Sequence, residues 1–472
     1  MAIYKDKDLL NDDGTIPDKL LSKCIEQHGQ IVQRYQLLQD YYDGKHKILD
    51  RTLSSESLPN NKVVCNHAQY ITDMAVGYVF GSPVTYNGDN TEELNKEFTE
   101  IDEDSHNNEL AQDLSILGVG YELLYMSDDE VPYPQLAVVS PFNSFLVCDT
   151  TVQHKPMFAV TYYPKYNIDD TQTGFDIYVY TEDKTLHAFT SSLSSSQYNW
   201  DDEDEEHYFK GIPLIEYKNN KQLKGDFEGV ITLIDAYNLL QSDRVNDKEQ
   251  VVDALLAVIG ASLGDNEDEK IETAKLLKEM KIIELDEGGD AKWLVKNLNE
   301  TEIEVLKKSL KDDIHEFSKV PCLTDENFVG NASGVAMKYK LLGFEQLGKT
   351  KERYFKQGLR QRLKLMANIE STRAKNIDVS KIDIAMKRNL PVDDELMARI
   401  AQETDGFISW ETRVKRFDGD IDVKEERKRL DKENEQKIEQ QQKAFGSYDF
   451  KNVDQADDKA QEDKSKDKKV NE

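Results

Sequence analysis

Eight residues in the C-terminal half match a phosphate-binding consensus. The run GFEQLGKT, residues 343–350, fits the pattern G-x-x-x-x-G-K-[ST]. In a loop, the backbone amides of this pattern cradle nucleotide phosphates, the lysine contacts the terminal phosphates and the final hydroxyl binds Mg²⁺. The sequence therefore raises ATP binding through Lys349 and Thr350 as one hypothesis.

The residues around this motif do not predict the loop that it requires. The consensus works between a strand and a helix, but residues 335–342 are not a bounded β-branched run. Residues 344–347 (FEQL) favour a helix, and no apolar run ending in Asp follows to help hold Mg²⁺. We therefore interpret residues 343–350 as part of a helix that matches the consensus by coincidence.

A long helix is predicted on both sides of the motif. Apolar residues recur there every three or four positions, which is helical spacing: Met337, Leu341, Phe344, Leu347, Phe355, Leu359, Leu363 and Met366. A helix over residues 334–373 would be about 60 Å long. Gly343 and Gly348 each cost roughly 1 kcal/mol relative to Ala inside a helix, so we expect a kink at these two residues.

Composition limits the classes of protein. The 472 residues are enough for two to four domains. A formal net charge of −31 argues against general attraction to nucleic acid. The four cysteines are isolated and lack metal-ligand or redox spacing. The N-terminal residues MAIYKDKDLL do not resemble a signal peptide, and no run of apolar residues is long enough to predict a membrane span.

The N-terminal half is predicted to be helices followed by an antiparallel sheet. Amphipathic helices are expected over residues 17–42 and 66–80, with a shorter one over 109–118. Six short segments rich in β-branched and aromatic residues then recur about every ten residues, which is typical of a meander: YELLYM, QLAVVSP, SFLVCD, FAVTYYP, FDIYVYT and TLHAFT. Residues 207–217 are expected to add a further strand.

Two helices flank a small insert in the middle of the chain. The helix over residues 229–256 is polar almost all round at 241–250, which indicates either a surface helix or a tunnel wall. The insert is predicted to contain strands at 255–259 and 281–285, a helix at 268–280, and a hairpin partner at 291–295. The second helix, 300–320, carries an apolar stripe, and Lys307, Lys308 and Lys311 lie off it.

The C-terminal region is predicted to be helical and then disordered. A strand at 382–386 precedes helices at 391–403 and from 409, and a charged helix follows from Asp422 to about Phe445. Residues 447–472 contain almost no apolar side chains, which favours disorder. The eight histidines form no H-E-x-x-H or H-x-E signature, and no G-x-S-x-G occurs, so an enzyme is not expected.

Four stretches of this chain resemble one protein family. They are YYDGKHKIL, PNNKVVCNHAQYITDMAVGYVFGSPVTY, LIDAYNLLQSDRVNDKEQ and YKLLGFEQLGKTKERYFKQGLRQRLKL. In this order they resemble the portal proteins of long-tailed, siphovirus-type bacteriophages, and the resemblance covers roughly residues 36–409.

The resemblance implies an α+β, mainly helical portal fold that assembles as a ring, with twelve subunits as the usual number. The implied parts are a wing (1–228), a first stem helix (229–257), a clip (258–298), a second stem helix (299–320), a tunnel loop (321–333), a long kinked wing helix (334–375), a crown (376–445) and a disordered tail (446–472).

The same resemblance implies a role and a set of partners. The ring would sit at one capsid vertex of the virion, after assembly in the host cytoplasm with major capsid and scaffolding proteins. Double-stranded DNA would pass through its channel, the large terminase subunit would dock on it during packaging, and a head–tail adaptor would bind later. Neither a membrane nor a cofactor is implied, because ATP hydrolysis belongs to the terminase.

Candidate site residues follow from this assignment. The tunnel loop would bring five residues near DNA: Asn327, Phe328, Gly330, Asn331 and Ser333. Lys307, Lys308 and Lys311 would form rings of positive charge on an otherwise acidic wall that centres the duplex with low friction. Gly343 and Gly348 would act as breaks in the long helix. Replacing either by Ala should stiffen this helix and affect DNA passage.

Two alternatives remain open from the sequence. An ATP-binding protein using residues 343–350 would bind ATP and lose that binding in Lys349→Ala. A structural scaffold other than a portal would not form closed rings with a central channel.

Overall fold

The computed structural model describes residues 2–11, 15–54, 58–130, 132–252, 255–259, 266–280, 290–294, 300–323, 339–369, 372–389, 394–404, 406–417 and 423–445. Two compact units divide the chain, Met1–Asn389 and Leu390–Glu472. The expected α+β, mainly helical class is confirmed. The predicted tail and the five candidate tunnel-loop residues lie outside the described residues.

The first unit combines helices with strands. In chain order the helices are α1 (Asp18–Tyr42), α2 (His67–Phe80), α3 (Glu92–Glu100), α4 (Glu103–Leu117), α5 (Ile231–Val252), α6 (Glu267–Met280), α7 (Glu300–Ser318) and α8 (Leu342–Ala367). Asn66 starts α2, because its side chain accepts a hydrogen bond from the Gln69 amide at 3.1 Å. The apolar faces predicted for α1 and α2 are buried, including Cys24, Leu38, Ile71 and Ala75.

In the described part of the chain, strands form four separate sheets. Their bounds are β1 (Ile3–Lys5), β2 (Thr85–Asn87), β3 (Val119–Met126), β4 (Pro134–Val139), β5 (Ser144–Asp149), β6 (Pro156–Tyr166), β7 (Gln172–Tyr180), β8 (Lys184–Thr190), β9 (Asn199–Trp200), β10 (Glu205–Glu206), β11 (Leu214–Lys218), β12 (Leu255–Ile259), β13 (Asp290–Leu294) and β14 (Asp383–Ala385). The largest sheet has the order β1-β5-β6-β7-β8-β10, with β9 also paired to β8, and a second sheet has the order β11-β3-β4.

All six predicted meander strands form, but they divide between two sheets. β3 lies between β4 and β11 and pairs with both, whereas β5 to β8 continue in the larger sheet. The N-terminal strand β1 joins that sheet parallel to β5, with Ile3 opposite Val147. Sequence periodicity did not indicate β1, because three residues are too few to show an alternation.

Helix α8 packs against the second sheet through the apolar stripe that the sequence predicts. Phe355, Leu359, Leu363 and Met366 are fully buried. A Cβ atom added to Gly358 would lie 2.3 Å from the ring of Tyr217, so only glycine permits this approach of helix and strand. Burial of the stripe and this close approach fix α8 on β11.

Buried charged side chains also hold α8. Arg362 is fully buried, and its guanidinium donates to Glu122 of β3 at 3.0 Å, to Asn107 of α4 at 2.8 Å, and to Glu103. Burial alone would raise the pKa of Glu122, but Arg362 and a hydrogen bond from His106 outweigh it and lower the pKa to about 2. The network therefore keeps Glu122 ionised while it joins three elements.

The long helix ends at Ala367, before the predicted end at residue 373. The helix is interrupted before Gly343, where a kink was expected. The turn lies at Leu341, and α8 continues without a break from Leu342 to Ala367. Gly343 therefore lies in the first turn, and Gly348 lies inside an uninterrupted helix rather than at a kink. A Cβ on Gly348 would approach Arg388, Tyr78 and Val79 at 3.2–3.4 Å, so this glycine allows close packing on α2.

The small insert contains one described strand pair. β13 pairs antiparallel with β12, with Ile259 opposite Asp290 and Leu255 opposite Leu294. Residues 281–285, which the sequence predicts as its hairpin partner, lie outside the described residues.

The segment that follows α8 belongs to the first unit. β14 pairs with β2, with Ile384 opposite Tyr86, and the unit ends at Asn389. This pairing holds residues 383–385 on strand β2, and the crown boundary expected at residue 376 stays a prediction. The second unit contains α9 (Asp394–Glu403), α10 (Trp410–Phe417) and α11 (Val423–Phe445), as the sequence predicts.

Candidate functional site

Helices α5 and α7 form the antiparallel pair that the sequence assigns to a stem. Ion pairs join them at two levels, Arg244 to Glu304 and Lys248 to Glu300. All four side chains are substantially exposed, and exposed ion pairs add little stability. These pairs therefore mainly set the alignment of the two helices.

The three candidate lysines of α7 differ in exposure. Lys307 and Lys311 are half-buried on the side of α7 that faces their own chain. Lys307 lies 3.4 Å from Glu304. Lys311 is close enough to His67 and Tyr237 for its positive charge to act to lower the pKa of each. Lys308 is exposed. One turn further on, the exposed side chains of Asp312 and Glu316 are acidic.

One face of the polar part of α5 is buried. Asn238, Ser242 and Asn246, spaced one helical turn apart, are at most 6% exposed. Their side-chain oxygens accept hydrogen bonds from the backbone amides of Cys65 at 2.8 Å, Val63 at 2.9 Å and Asn61 at 2.7 Å. We call these three pairs the polar ladder.

The polar ladder shows what one face of α5 contacts. Every second amide of residues 61–65 bonds to a residue one helical turn further along α5. These three residues therefore anchor one face of α5 to the N-terminal region, while Val245, Lys248 and Glu249 of the same helix are exposed. The sequence does show small polar residues at positions i, i+4 and i+8. A polar stripe that faces solvent would have the same spacing, so the pattern did not reveal the buried contacts.

Part of the predicted tunnel loop is described. Val320 is fully buried and Cys322 is nearly so. The hydroxyl of Tyr70 in α2 donates to the carbonyl of Pro321 at 3.1 Å and accepts from the amide of Leu323 at 3.0 Å. The five candidate DNA contacts, 327–333, come after this point and lie outside the described residues.

The phosphate-binding consensus is helical. Residues 342–350 are all in α8, so their amides are committed to helical hydrogen bonds or lie in the first turn. The Thr350 hydroxyl donates to the Gln346 carbonyl at 3.0 Å, and Lys349 lies 3.7 Å from Glu345. The motif has neither the loop nor the preceding strand that phosphate binding needs.

The described part of the chain was assessed for metal sites and membrane-spanning helices, and it contains neither. No group of three or more His, Cys, Asp or Glu side chains there could hold a metal ion. None of the helices described combines the length and the apolar character needed to cross a bilayer.

Comparison with known proteins identifies the class. Residues 21–440 match the family model for phage portal proteins of the SPP1 Gp6-like type. The chain is 25% identical over 404 residues to a portal protein of Clostridium phage phiCD119, covering 80% of this chain and 87% of that protein. It is also 25% identical over 428 residues to the portal protein of Bacillus phage SPP1, covering 85% and 81%.

A solved structure gives a weaker likeness. A chain from the neck of an empty gene transfer agent particle is 13% identical with a TM-score of 0.43, covering 74% of this chain and 89% of that chain. So low a score supports no conclusion about the fold.

The family match spans most of the chain. The protein therefore belongs to the phage portal protein family, SPP1 Gp6-like. It is a structural protein of the virion, and its function is that of a portal at the capsid vertex.

Proposed function

We propose that this protein forms a closed ring, with twelve subunits as the expected number, whose central channel passes double-stranded DNA during packaging and ejection. The observation that carries the proposal is the family match over residues 21–440. The antiparallel pair α5 and α7 supports it, because paired helices repeated around an axis can form a channel wall.

The partners follow from the same role. We propose that the ring nucleates the capsid with major capsid and scaffolding proteins in the host cytoplasm. It would dock the large terminase subunit for packaging and a head–tail adaptor afterwards. The net charge of −31 is compatible with a conduit that repels DNA. The exposed side chains of Asp312 and Glu316 would contribute to an acidic wall, and Lys308 would contribute the exposed positive charge.

The candidate DNA contacts in the tunnel loop belong to this proposal. Asn327, Phe328, Gly330, Asn331 and Ser333 would approach the duplex, because they follow directly on the anchored residues 321–323. The helical conformation of residues 343–350 disfavours the ATP-binding alternative.

Negative-stain electron microscopy of the purified full chain tests the proposal. We expect closed rings with a central hole wide enough for duplex DNA. Monomers, open filaments or solid particles would contradict a portal channel and favour a scaffold of another kind. A binding assay with labelled ATP is the parallel control, and binding that disappears in Lys349→Ala would reinstate the nucleotide-binding alternative.

A further inference from the structure

Helix α7 leaves part of its apolar stripe uncovered. Within that stripe, Ile314 is fully buried in the core of its own chain, and Leu310 packs against the core from a half-buried position. Leu306 and Phe317, in contrast, are 51% and 65% exposed. We call Leu306, Leu310 and Phe317 the apolar patch. Exposed apolar side chains that continue one helical stripe indicate a contact that the single chain does not make.

A concave surface lies beside the other helix of the pair. A cavity of about 370 Å³ is bounded by α5 and residues 47–51. Ile48, Ala236 and Leu239 give it an apolar wall, and Leu239 is itself 46% exposed. We call this surface the α5 cavity. Its apolar wall suits an apolar side chain from outside the subunit.

The α5 cavity faces away from α7. Arg244 and Lys248 mark the face of α5 that meets α7, because both pair with glutamates of that helix. Successive residues of a helix are about 100° apart around its axis, so Leu239 is about 140–180° around α5 from these two residues. The cavity therefore opens on the side of the pair remote from α7.

The apolar patch faces away from α5. Glu304 marks the face of α7 that meets α5, because it pairs with Arg244. Leu306 and Phe317 are about 140–160° around α7 from Glu304. The patch and the cavity therefore lie on opposite sides of the two-helix pair.

The two surfaces also lie at the same level. The antiparallel alignment set by the two ion pairs places residues 235–239 of α5, which include cavity residues, beside residues 309–313 of α7. The patch, from Leu306 to Phe317, spans this level. Rotation about an axis preserves height along it. In a ring whose paired helices run along the channel, the patch of one subunit therefore comes level with the cavity of the next.

Charge does not oppose this contact. With a net charge of −31, most surfaces of two copies repel each other. The α5 cavity is balanced, because Lys47 and Arg51 bring two positive charges to it and Asp50 and Asp235 two negative ones. Lys47 is exposed at the rim. It is able to pair with Asp313, which lies in the same helical stripe as the patch.

We propose that in the assembled ring the apolar patch of one subunit packs into the α5 cavity of the next. A head-to-tail contact joins two different surfaces of identical subunits, and its repetition around an axis closes a ring. That the occupant is a second copy rests on the proposed function, because a ring is what places identical subunits side by side. The exposure of the patch does not depend on it.

Cysteine cross-linking of the assembled full-length protein tests the contact. Leu239→Cys with Leu306→Cys places one thiol at the cavity and one on the patch, and a short bis-maleimide should join them between subunits. We expect covalent dimers and higher multiples on a denaturing gel. Leu239→Cys alone measures the background from the four native cysteines.

A matched pair isolates the face of α7. Val305 is 65% exposed but lies about 100° around the helix from Leu306. We expect Leu239→Cys with Val305→Cys to give at least tenfold less dimer. Rings in the microscope without dimers above background would overturn the inference and leave the proposed function standing. Absence of rings in the wild type would instead contradict the proposed function.

Substitution of the patch gives a second, independent readout. Leu306→Ser with Phe317→Ser changes exposed side chains, so we expect little effect on folding. Ring formation at fixed protein concentration, measured by sedimentation and microscopy, should fall at least tenfold, whereas Val305→Ser should assemble normally. Wild-type levels of rings in the double variant would mean that the patch is covered by its own chain or by another protein, and would overturn the inference.

Discussion

At the scale of single residues, Arg362 has the largest expected effect on stability. It is fully buried, and its charge is balanced by Glu122 and Glu103. Arg362→Met would leave two carboxylates in the core without their partner. Because breaking a buried ion pair costs several kcal/mol, we expect the free energy of unfolding to fall by about 3–5 kcal/mol. Chemical denaturation measures this change.

A matched substitution on the same helix isolates the charge effect. Arg360 is exposed, so Arg360→Met should change stability by no more than about 0.5 kcal/mol. Adding Glu122→Gln to Arg362→Met removes one of the stranded charges and should recover part of the loss. A double variant no more stable than Arg362→Met would show that packing, and not charge, accounts for the effect.

At the scale of elements, the polar ladder explains how α5 is held. Ser242→Ala would remove the acceptor of the Val63 amide, a part-buried hydrogen bond worth about 0.5–1.5 kcal/mol. We expect a corresponding loss of stability and faster hydrogen exchange at Val63. Thr232 is exposed on the same helix, and Thr232→Ala should be nearly neutral. Equal exchange at Val63 in both variants would mean that the ladder does not protect this segment.

Helix α8 shows how a glycine can be misinterpreted at this scale. Helix propensity treats Gly343 and Gly348 as equivalent weak points. In the fold, a Cβ on Gly343 has no close neighbour, since the nearest is Lys319 at 4.0 Å, whereas Gly348 packs against Arg388 and Tyr78. The difference depends on what lies beside the helix, so local sequence could not distinguish them.

At the scale of the whole molecule, acid sensitivity should come from the buried His28 and the half-buried His67, which lie in different elements. Burial lowers the pKa of His28 and of His67 from 6.5 to about 4. His28 lies between Tyr162 and the Pro141 carbonyl. His67 faces His315, Lys311, His46 and Tyr237.

The sign of the pH effect follows from these pKa values. On acidification the unfolded chain binds protons first, near pH 6.5, so the folded state loses relative stability from there down to about pH 4. We expect unfolding free energy to decrease between pH 7 and 5, and His67→Gln to reduce that decrease by about 1–2 kcal/mol. His154 is exposed, and His154→Gln should leave the pH profile unchanged. A His67→Gln profile identical to the wild type would contradict this assignment.

Local features of the chain were predictable because they depend on neighbours in sequence. Apolar spacing predicted α1, α2, α7 and the buried stripe of α8, and the ten-residue rhythm predicted the strands β3 to β8. The helix-favouring residues in and around 343–350 predicted that this segment is not a phosphate-binding loop. The family resemblance, carried by contiguous strings, was also contained in the sequence and is confirmed by the match over residues 21–440.

Only the tertiary structure decided which polar residues are buried and what they hold. Ser242 pairs with an amide 179 residues away, and Arg362 with a carboxylate 240 residues away. No local pattern encodes such pairs, since a polar residue facing solvent and one facing a distant partner have the same spacing. For the same reason, the sequence could not show that Lys307 and Lys311 are half-buried. The energy of a buried polar group depends on its partner, and the fold alone supplies that partner.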